Sequence, residues 1–473
     1  MTDRYEIEKL REENPFKFNI YMWILAPLSV VVSVFAAVLC KNEDMENFWV
    51  LPFAYGILLF LLSFFYQRLN SPAFTIINII MFIRYVFTIF ITMLADVYYG
   101  LTIHPTNFNK ALYLMLYEMF AVFIVQFFFA RYRFKGRSDE DNYAEVHGTV
   151  AVVFFITIFV TALAIVIYPQ ARQSLLNFSF SKAFTYEVSE LMNGFVFVFF
   201  KIGINIIYAL LILLLTKKIR NHKILSFILC SILTIVFISC NWTTGNTISR
   251  WGLLTSSFVG YVVLTRSFPK YKNAILSIGG VGFILILIIS SVTKQMIHDT
   301  QTFSEAISNI FSAEYFNEYF QGAYPVSNGL TSMDSFASRI NFVTFLDDTI
   351  SSYPWINRIF YEAGNTTEEF YLSYIGMRDK ILPTIVQGYA HFGIVGSPIF
   401  SMLFTALAYI SHFKVRATQN IFYTVAVTQI EVWCALFMAV NAYIIQRTTV
   451  YFVLLLLILI LDQKIKWRVV KNQ

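Results

Sequence analysis

Apolar runs long enough to cross a bilayer recur from one end of this chain to the other, and they constrain its fold more than any other feature. About 18 residues without charge mark a helix that can span the hydrocarbon core, and several runs here are longer. The 473 residues are 57% hydrophobic and only 14% charged, with 50 Phe and 28 Tyr. Ordinary soluble chains carry about 25% charged residues. This balance excludes a soluble multi-domain enzyme, and so much apolar surface excludes a disordered chain. The same composition excludes a nucleic-acid binder, despite a formal charge of +6. The sequence predicts an all-α polytopic integral membrane protein.

Apolar windows predict about twelve transmembrane helices. They lie near 18–40, 48–66, 73–96, 111–130, 148–168, 191–216, 224–239, 252–265, 274–292, 381–411, 421–439 and 448–462. Lys and Arg set the orientation, because cytoplasmic loops carry their excess. With the N-terminus inside, the inside segments hold 22 Lys and Arg in 75 residues, against 11 in the much longer outside segments. Both termini are therefore expected in the cytoplasm. The chain divides into an N-terminal membrane bundle of about nine spans (1–292), a large extracytoplasmic loop (293–380) and a C-terminal bundle of about three spans (381–473). The first apolar run is too long for a cleaved signal peptide. Cys40, Cys230, Cys240 and Cys434 show no metal-ligand spacing and no disulfide framework.

The 293–380 loop is too long to be a simple connection, and its 17 aromatic residues argue against disorder. Ile307, Ile310 and Phe311 share one helical face, as do Val343, Leu346 and Ile350, so short amphipathic helices on the bilayer surface are expected. Eleven acids against five bases leave the loop acidic. Arg339, Arg358 and Arg378 stand in that acidic setting as candidates to hold one defined anion, because guanidinium presents a fork of donors that matches phosphate. The alternative is pairing with Asp334, Glu362 or Asp379.

Arg250 is a sharper candidate. It ends the short turn Thr244-Gly245-Asn246-Thr247-Ile248-Ser249-Arg250, directly before an apolar span, where the positive-inside bias disfavours it. Either it binds an anion or it snorkels to lipid headgroups. A third feature is Leu382-Pro383-Thr384-Ile385-Val386-Gln387-Gly388-Tyr389-Ala390-His391-Phe392-Gly393-Ile394-Val395-Gly396. Gln387 and His391 are four apart, so they face one side of the tenth helix. Gly388, Gly393 and Gly396 thin that helix for close approach. Arg84, Glu118, Lys201 and Glu431 lie inside spans, where helix-to-helix pairing is the favoured reading and an ion pathway the sharper one. The familiar phosphate-loop, metalloprotease, nucleophile-elbow and dinucleotide motifs are absent, and no metal site is expected.

These residues carry a resemblance. A dozen spans, one long outer loop late in the chain and sparse outer arginines are similar to the layout of Wzy-type O-antigen and capsular polysaccharide polymerases. The Gly245-to-Arg250 turn resembles the Gly…Arg turn before a span in that family. Thr367-Glu368-Glu369-Phe370, Asp379-Lys380-Ile381-Leu382-Pro383, Gln387-Gly388-Tyr389 and Phe392-Gly393 resemble its loop-to-helix segment. Related O-antigen ligases place a histidine where His391 falls. The resemblance spans most of the chain in topology and about 60 residues in motif.

The resemblance implies a GT-C-like fold in a bacterial cytoplasmic membrane, and glycosyl transfer without metal or cofactor on its outer face. The substrate would be a lipid-linked oligosaccharide on polyprenyl diphosphate, with a flippase and a chain-length regulator of the same pathway as partners. Arg250, His391 and Glu369 would be catalytic, the last two as candidate bases. Arg339, Arg358, Arg378, Gln387 and Tyr389 would bind substrate. A ligase that attaches finished glycan elsewhere is the alternative within enzymes, and a transporter or flippase of lipid-linked saccharides is the alternative outside them. A transporter would gather its polar groups at mid-membrane depth.

Overall fold

The computed structural model describes residues 16–64, 71–95, 107–131, 148–167, 194–219, 223–244, 247–248, 250–298, 302–353, 364–376, 380–418 and 420–471. They form helices joined by short turns, apart from one antiparallel ladder that pairs Thr243 with Ile248 and Thr244 with Thr247. The first nine helices are α1 (Phe16–Leu39), α2 (Val50–Ser63), α3 (Pro72–Leu94), α4 (Phe108–Arg131), α5 (Gly148–Ile167), α6 (Gly194–Lys218), α7 (Lys223–Trp242), α8 (Arg250–Ser267) and α9 (Lys272–His298). Five short helices follow: α10 (Phe303–Ile310), α11 (Ala313–Tyr319), α12 (Ala323–Ser335), α13 (Phe342–Ser351) and α14 (Thr367–Ile375). The chain closes with α15 (Thr384–Gly396), α16 (Ile399–Ala417), α17 (Ile421–Ala435) and α18 (Ala442–Lys471).

Among the described residues, seven helices are long and apolar enough to cross a membrane, and an eighth span arises if α15 and α16 count as one. Each predicted window falls on a helix in whole or in part. The tenth departs from expectation. Instead of one span over 381–411, α15 and α16 meet at a bend of 106°. Gly393 sits at the break with φ 67° and ψ −168°, a conformation that a side chain resists. Gly388 lets the turn fold back, because a Cβ there would strike the Ser397 carbonyl. Gly388 therefore admits the chain's own backbone, whereas Gly393 supplies a positive φ beside open space.

The core centres on α17, whose residues from Phe422 to Ala435 are all buried except Tyr423. Its polar Glu431 accepts a hydrogen bond from the Ala73 N–H in the first turn of α3 (3.2 Å) and lies 3.1 Å from His412 Nδ1. A carboxylate at a helix N-terminus meets unpaired N–H groups and the positive end of the dipole. Ser71 caps α3 from outside through the Phe74 N–H, with Pro72 in the first turn. Mid-way along α3 a π-helical turn at Ile83–Phe87 carries Arg84, whose Nη2 lies 2.9 Å from Glu118 of α4, both side chains fully buried. Tyr85 and Ser401 hydroxyls also donate to Glu118. Burial without such partners costs several kcal/mol, so these contacts explain how the ions are tolerated at that depth.

The loop helices differ in character. α10 and α13 expose Phe303, Ile307 and Phe311, and Phe342, Val343 and Leu346, respectively. By contrast α12 is buried along most of its length, with Ala323, Val326, Leu330 and Met333 in the core. It docks on the N-terminal bundle: Asn107 donates to Ser327 and Thr331, Asn42 donates to Tyr324 (2.7 Å), and the Phe108 ring meets Tyr324 edge-on. Phe345 of α13 packs against His391 and Phe392, just before the break between α15 and α16.

Candidate functional site

The site is built around Asp348. Asn341 caps α13 through the Val343 and Thr344 N–H groups, which fixes the helix that carries Asp347 and Asp348. Thr344, Asp348 and Ser351 line the buried face of α13, while Val343 and Leu346 point outward. This inverts the polarity of a helix on a soluble protein and suits one whose apolar side meets lipid. On the next helix, a capping box between Thr366 and Glu369 sets the start of α14. That start aims the Thr367 N–H (2.9 Å) and hydroxyl (2.5 Å) at the Asp348 carboxylate.

Two further groups reach Asp348 from α15. Gln387 Nε2 donates to Oδ2 at 3.3 Å, and its Oε1 accepts from the Ala442 N–H at the start of α18 (3.1 Å). His391 Nε2 lies 2.7 Å from the same oxygen. The four-residue spacing thus places both side chains on one buried carboxylate. The His391 ring is only 2% exposed and is bordered by the Phe345 and Phe400 rings. Its Nδ1 is buried with no hydrogen-bond partner among the described residues. When Nε2 donates to the carboxylate, Nδ1 carries the lone pair, and the acid fixes that tautomer and the ring's orientation.

A second acid adjoins this pair. Glu368 accepts from Asn441 Nδ2 (3.1 Å), and Asn441 also caps α18 through the Ile444 N–H. Burial pushes the Glu368 carboxyl up to about 7, the Asn441 hydrogen bond pulls it down, and Asp348 raises it while Arg447 lowers it. Beside it, Asn365 donates to Asp347.

The other expected site residues fall elsewhere. Arg250 donates to the Tyr315 hydroxyl and to Ser291 Oγ (3.1 Å), and its guanidinium lies 4.2 Å from the Tyr319 ring centre. Arg339 donates to the Gly364 carbonyl (3.1 Å) and covers the Phe370 ring at 4.6 Å. Among the described residues neither arginine forms an ion pair, and they share no partner. Glu369, a candidate base in the sequence, has its carboxylate engaged by the Thr366 N–H and hydroxyl and the Gly364 N–H. Tyr389 donates to Asp334 (2.8 Å) and accepts from Lys110 (2.7 Å), away from Asp348. Arg358 and Arg378 lie outside the described residues.

Sequence reasoning passed over Asp348, Glu368, Asn441 and Arg447. The legible signal was the polar stripe Thr344, Asp348 and Ser351 on a helix whose other face is apolar. Compared with protein-family models, curated proteins and solved structures, the chain matches none of them.

Proposed function

We propose that the protein is a membrane glycosyltransferase that polymerises polyprenyl-diphosphate-linked repeat units on the outer face of a bacterial cytoplasmic membrane. In this reading it has a GT-C-like fold of about twelve spans, both termini are cytoplasmic, and α10 and α13 rest on the outer leaflet. The observation that carries the proposal is the buried His391–Asp348 pair between α15 and α13, at 2.7 Å. Such a pair supplies a base held in one tautomer. Polar chemistry gathered under the loop helices favours surface catalysis over transport.

The step balances without a cofactor. The acceptor hydroxyl gives its proton to His391 Nδ1 as its oxygen bonds the anomeric carbon of the donor glycan. The bond from that carbon to the diphosphate oxygen breaks, and its electron pair leaves with the lipid diphosphate. Guanidinium groups that meet this developing charge lower the barrier, each by ~3 kcal/mol. Arg250 takes that role by the resemblance; Ser291, Tyr315 and Tyr319 hold it apart from the His391–Asp348 pair.

Purified protein supplied with a lipid-diphosphate oligosaccharide tests the reading. Chain elongation in detergent, without ATP or an ion gradient, is expected. Movement of substrate across a vesicle membrane with no elongation assigns the protein to transport instead. Unchanged elongation by Arg250→Ala removes Arg250 from the diphosphate site.

A further inference from the structure

The turn from α11 to α12 holds a residue that breaks a local rule. Gln321 follows Phe320, which closes α11, and has φ 50°, the one positive φ at a residue other than glycine among those described. The Gly322 N–H reaches back to the Asn317 carbonyl (2.7 Å), the closing bond of a helix end that ordinarily places glycine where Gln321 stands. A Cβ resists that left-handed conformation, and the fully buried amide must also leave water. Glycine avoids both costs. The side chain therefore needs a reason to be there.

That reason lies 63 residues further along the chain. α15 follows Pro383, whose side chain caps nothing. Gln321 Oε1 supplies the missing acceptor and takes the Thr384 N–H, the first of α15, at 3.2 Å. Because this bond turns Oε1 toward α15, Nε2 is left buried with no hydrogen-bond partner among the described residues. The Thr384 hydroxyl donates to the Phe437 (2.7 Å) and Val440 (3.0 Å) carbonyls that precede α18. Thr384, Gln387 and His391 follow at i, i+3 and i+7, and so share one face of α15. About 10 Å of helix separates the first from the last. We infer that Gln321 is a positioning residue for His391. By holding the first N–H of α15 it sets how far that helix stands along its axis, and so keeps the imidazole on Asp348 in one tautomer. Its consequence for turnover rests on the transferase reading, whereas its hold on the imidazole does not.

Two readouts on the full chain in bilayers test this. Nitrogen-15 NMR of histidine-labelled protein reports the tautomer, with His391→Gln identifying the signal, and elongation kinetics report turnover. At mildly alkaline pH, native His391 should give one neutral tautomer with its proton on Nε2. Gln321→Asn suits a left-handed backbone, but its amide is one methylene too short for Thr384. It should mix the tautomers and lower kcat roughly ten- to a hundredfold, with KM changed by less than about twofold. Gln321→Glu, which keeps an oxygen at that reach, should restore both. Gln321→Gly relieves the turn and removes the acceptor, so it should match Gln321→Asn even where its melt equals the native one. One tautomer and native kcat in Gln321→Asn and Gln321→Gly overturn the inference. A lowered melt with the His391 signal unchanged also overturns it, because Gln321 then only seals its own turn. Native protein that never elongates, while its His391 signal still shifts in Gln321→Asn, rejects the transferase reading and leaves the positioning role standing.

Discussion

His391 and Asp348, separated by 43 residues and carried on different helices, approach to 2.7 Å on one carboxylate oxygen. Neither residue positions itself. Thr367 and Gln387 hold the acid, and Gln387 in turn takes the first N–H of α18, so four helices fix one imidazole.

Gln387 is the joint in that arrangement. Gln387→Leu strips a donor from the buried carboxylate and leaves the Ala442 N–H without its acceptor. Each buried group left unsatisfied costs about 1–3 kcal/mol. Thermal unfolding in detergent should therefore show a clear loss of stability, whereas Gln387→Glu should be worse again because it sets a second negative charge against Asp348.

Glu368 makes stability depend on pH. Its carboxyl stands at about 7 in the fold, against an ordinary 4.5. Between those values the folded state holds a proton that the unfolded chain has released, so stability falls as pH rises through that window. The loss amounts to about 3 kcal/mol by the time Glu368 is ionised. Glu368→Gln keeps an acceptor for Asn441 and removes the charge. Melting curves from pH 5 to 8 should flatten in this variant, and it should outlast the native protein at pH 8. An unchanged slope contradicts the assignment.

The Arg84–Glu118 pair is wholly buried. Removing one partner strands a charge in the core, at a cost of about 3–5 kcal/mol. Arg84→Met and Glu118→Gln should each lower the melting temperature sharply. The double variant Arg84→Met with Glu118→Leu should recover part of the loss, because an uncharged, well-packed replacement avoids desolvation. Additive losses in the double variant show that the two residues act separately.

Gly388→Ala tests the fold-back between α15 and α16. Its Cβ meets backbone at Ser397, which cannot swing aside as a side chain can. The change should destabilise the protein by about 1–3 kcal/mol, as overpacking typically does. Native melting behaviour in this variant would place the bend elsewhere in solution.

The helices were legible because a bilayer-length apolar run announces itself without tertiary information. The bend in the tenth window was hidden: a run of apolar residues keeps its hydropathy whether straight or folded back, and only Gly393 and Gly388 hinted at the break. Gln387 and His391 were visible as an i, i+4 pair because local helix geometry alone brings them together. Asp348 was not, since it meets them across 39 and 43 residues through helices whose docking no local pattern encodes. Glu369 misled for a related reason: a Thr-x-x-Glu pattern opens a helix by capping it, and here that structural use consumes the carboxylate.

The most direct measurement compares elongation of a lipid-diphosphate oligosaccharide by native protein and by His391→Gln and Asp348→Asn, each confirmed as folded by its melt. Rates at least ~100-fold lower are predicted in His391→Gln, as loss of a general base typically gives, and in Asp348→Asn, which keeps the geometry but no longer fixes the imidazole tautomer. Elongation by His391→Gln at the native rate contradicts the account.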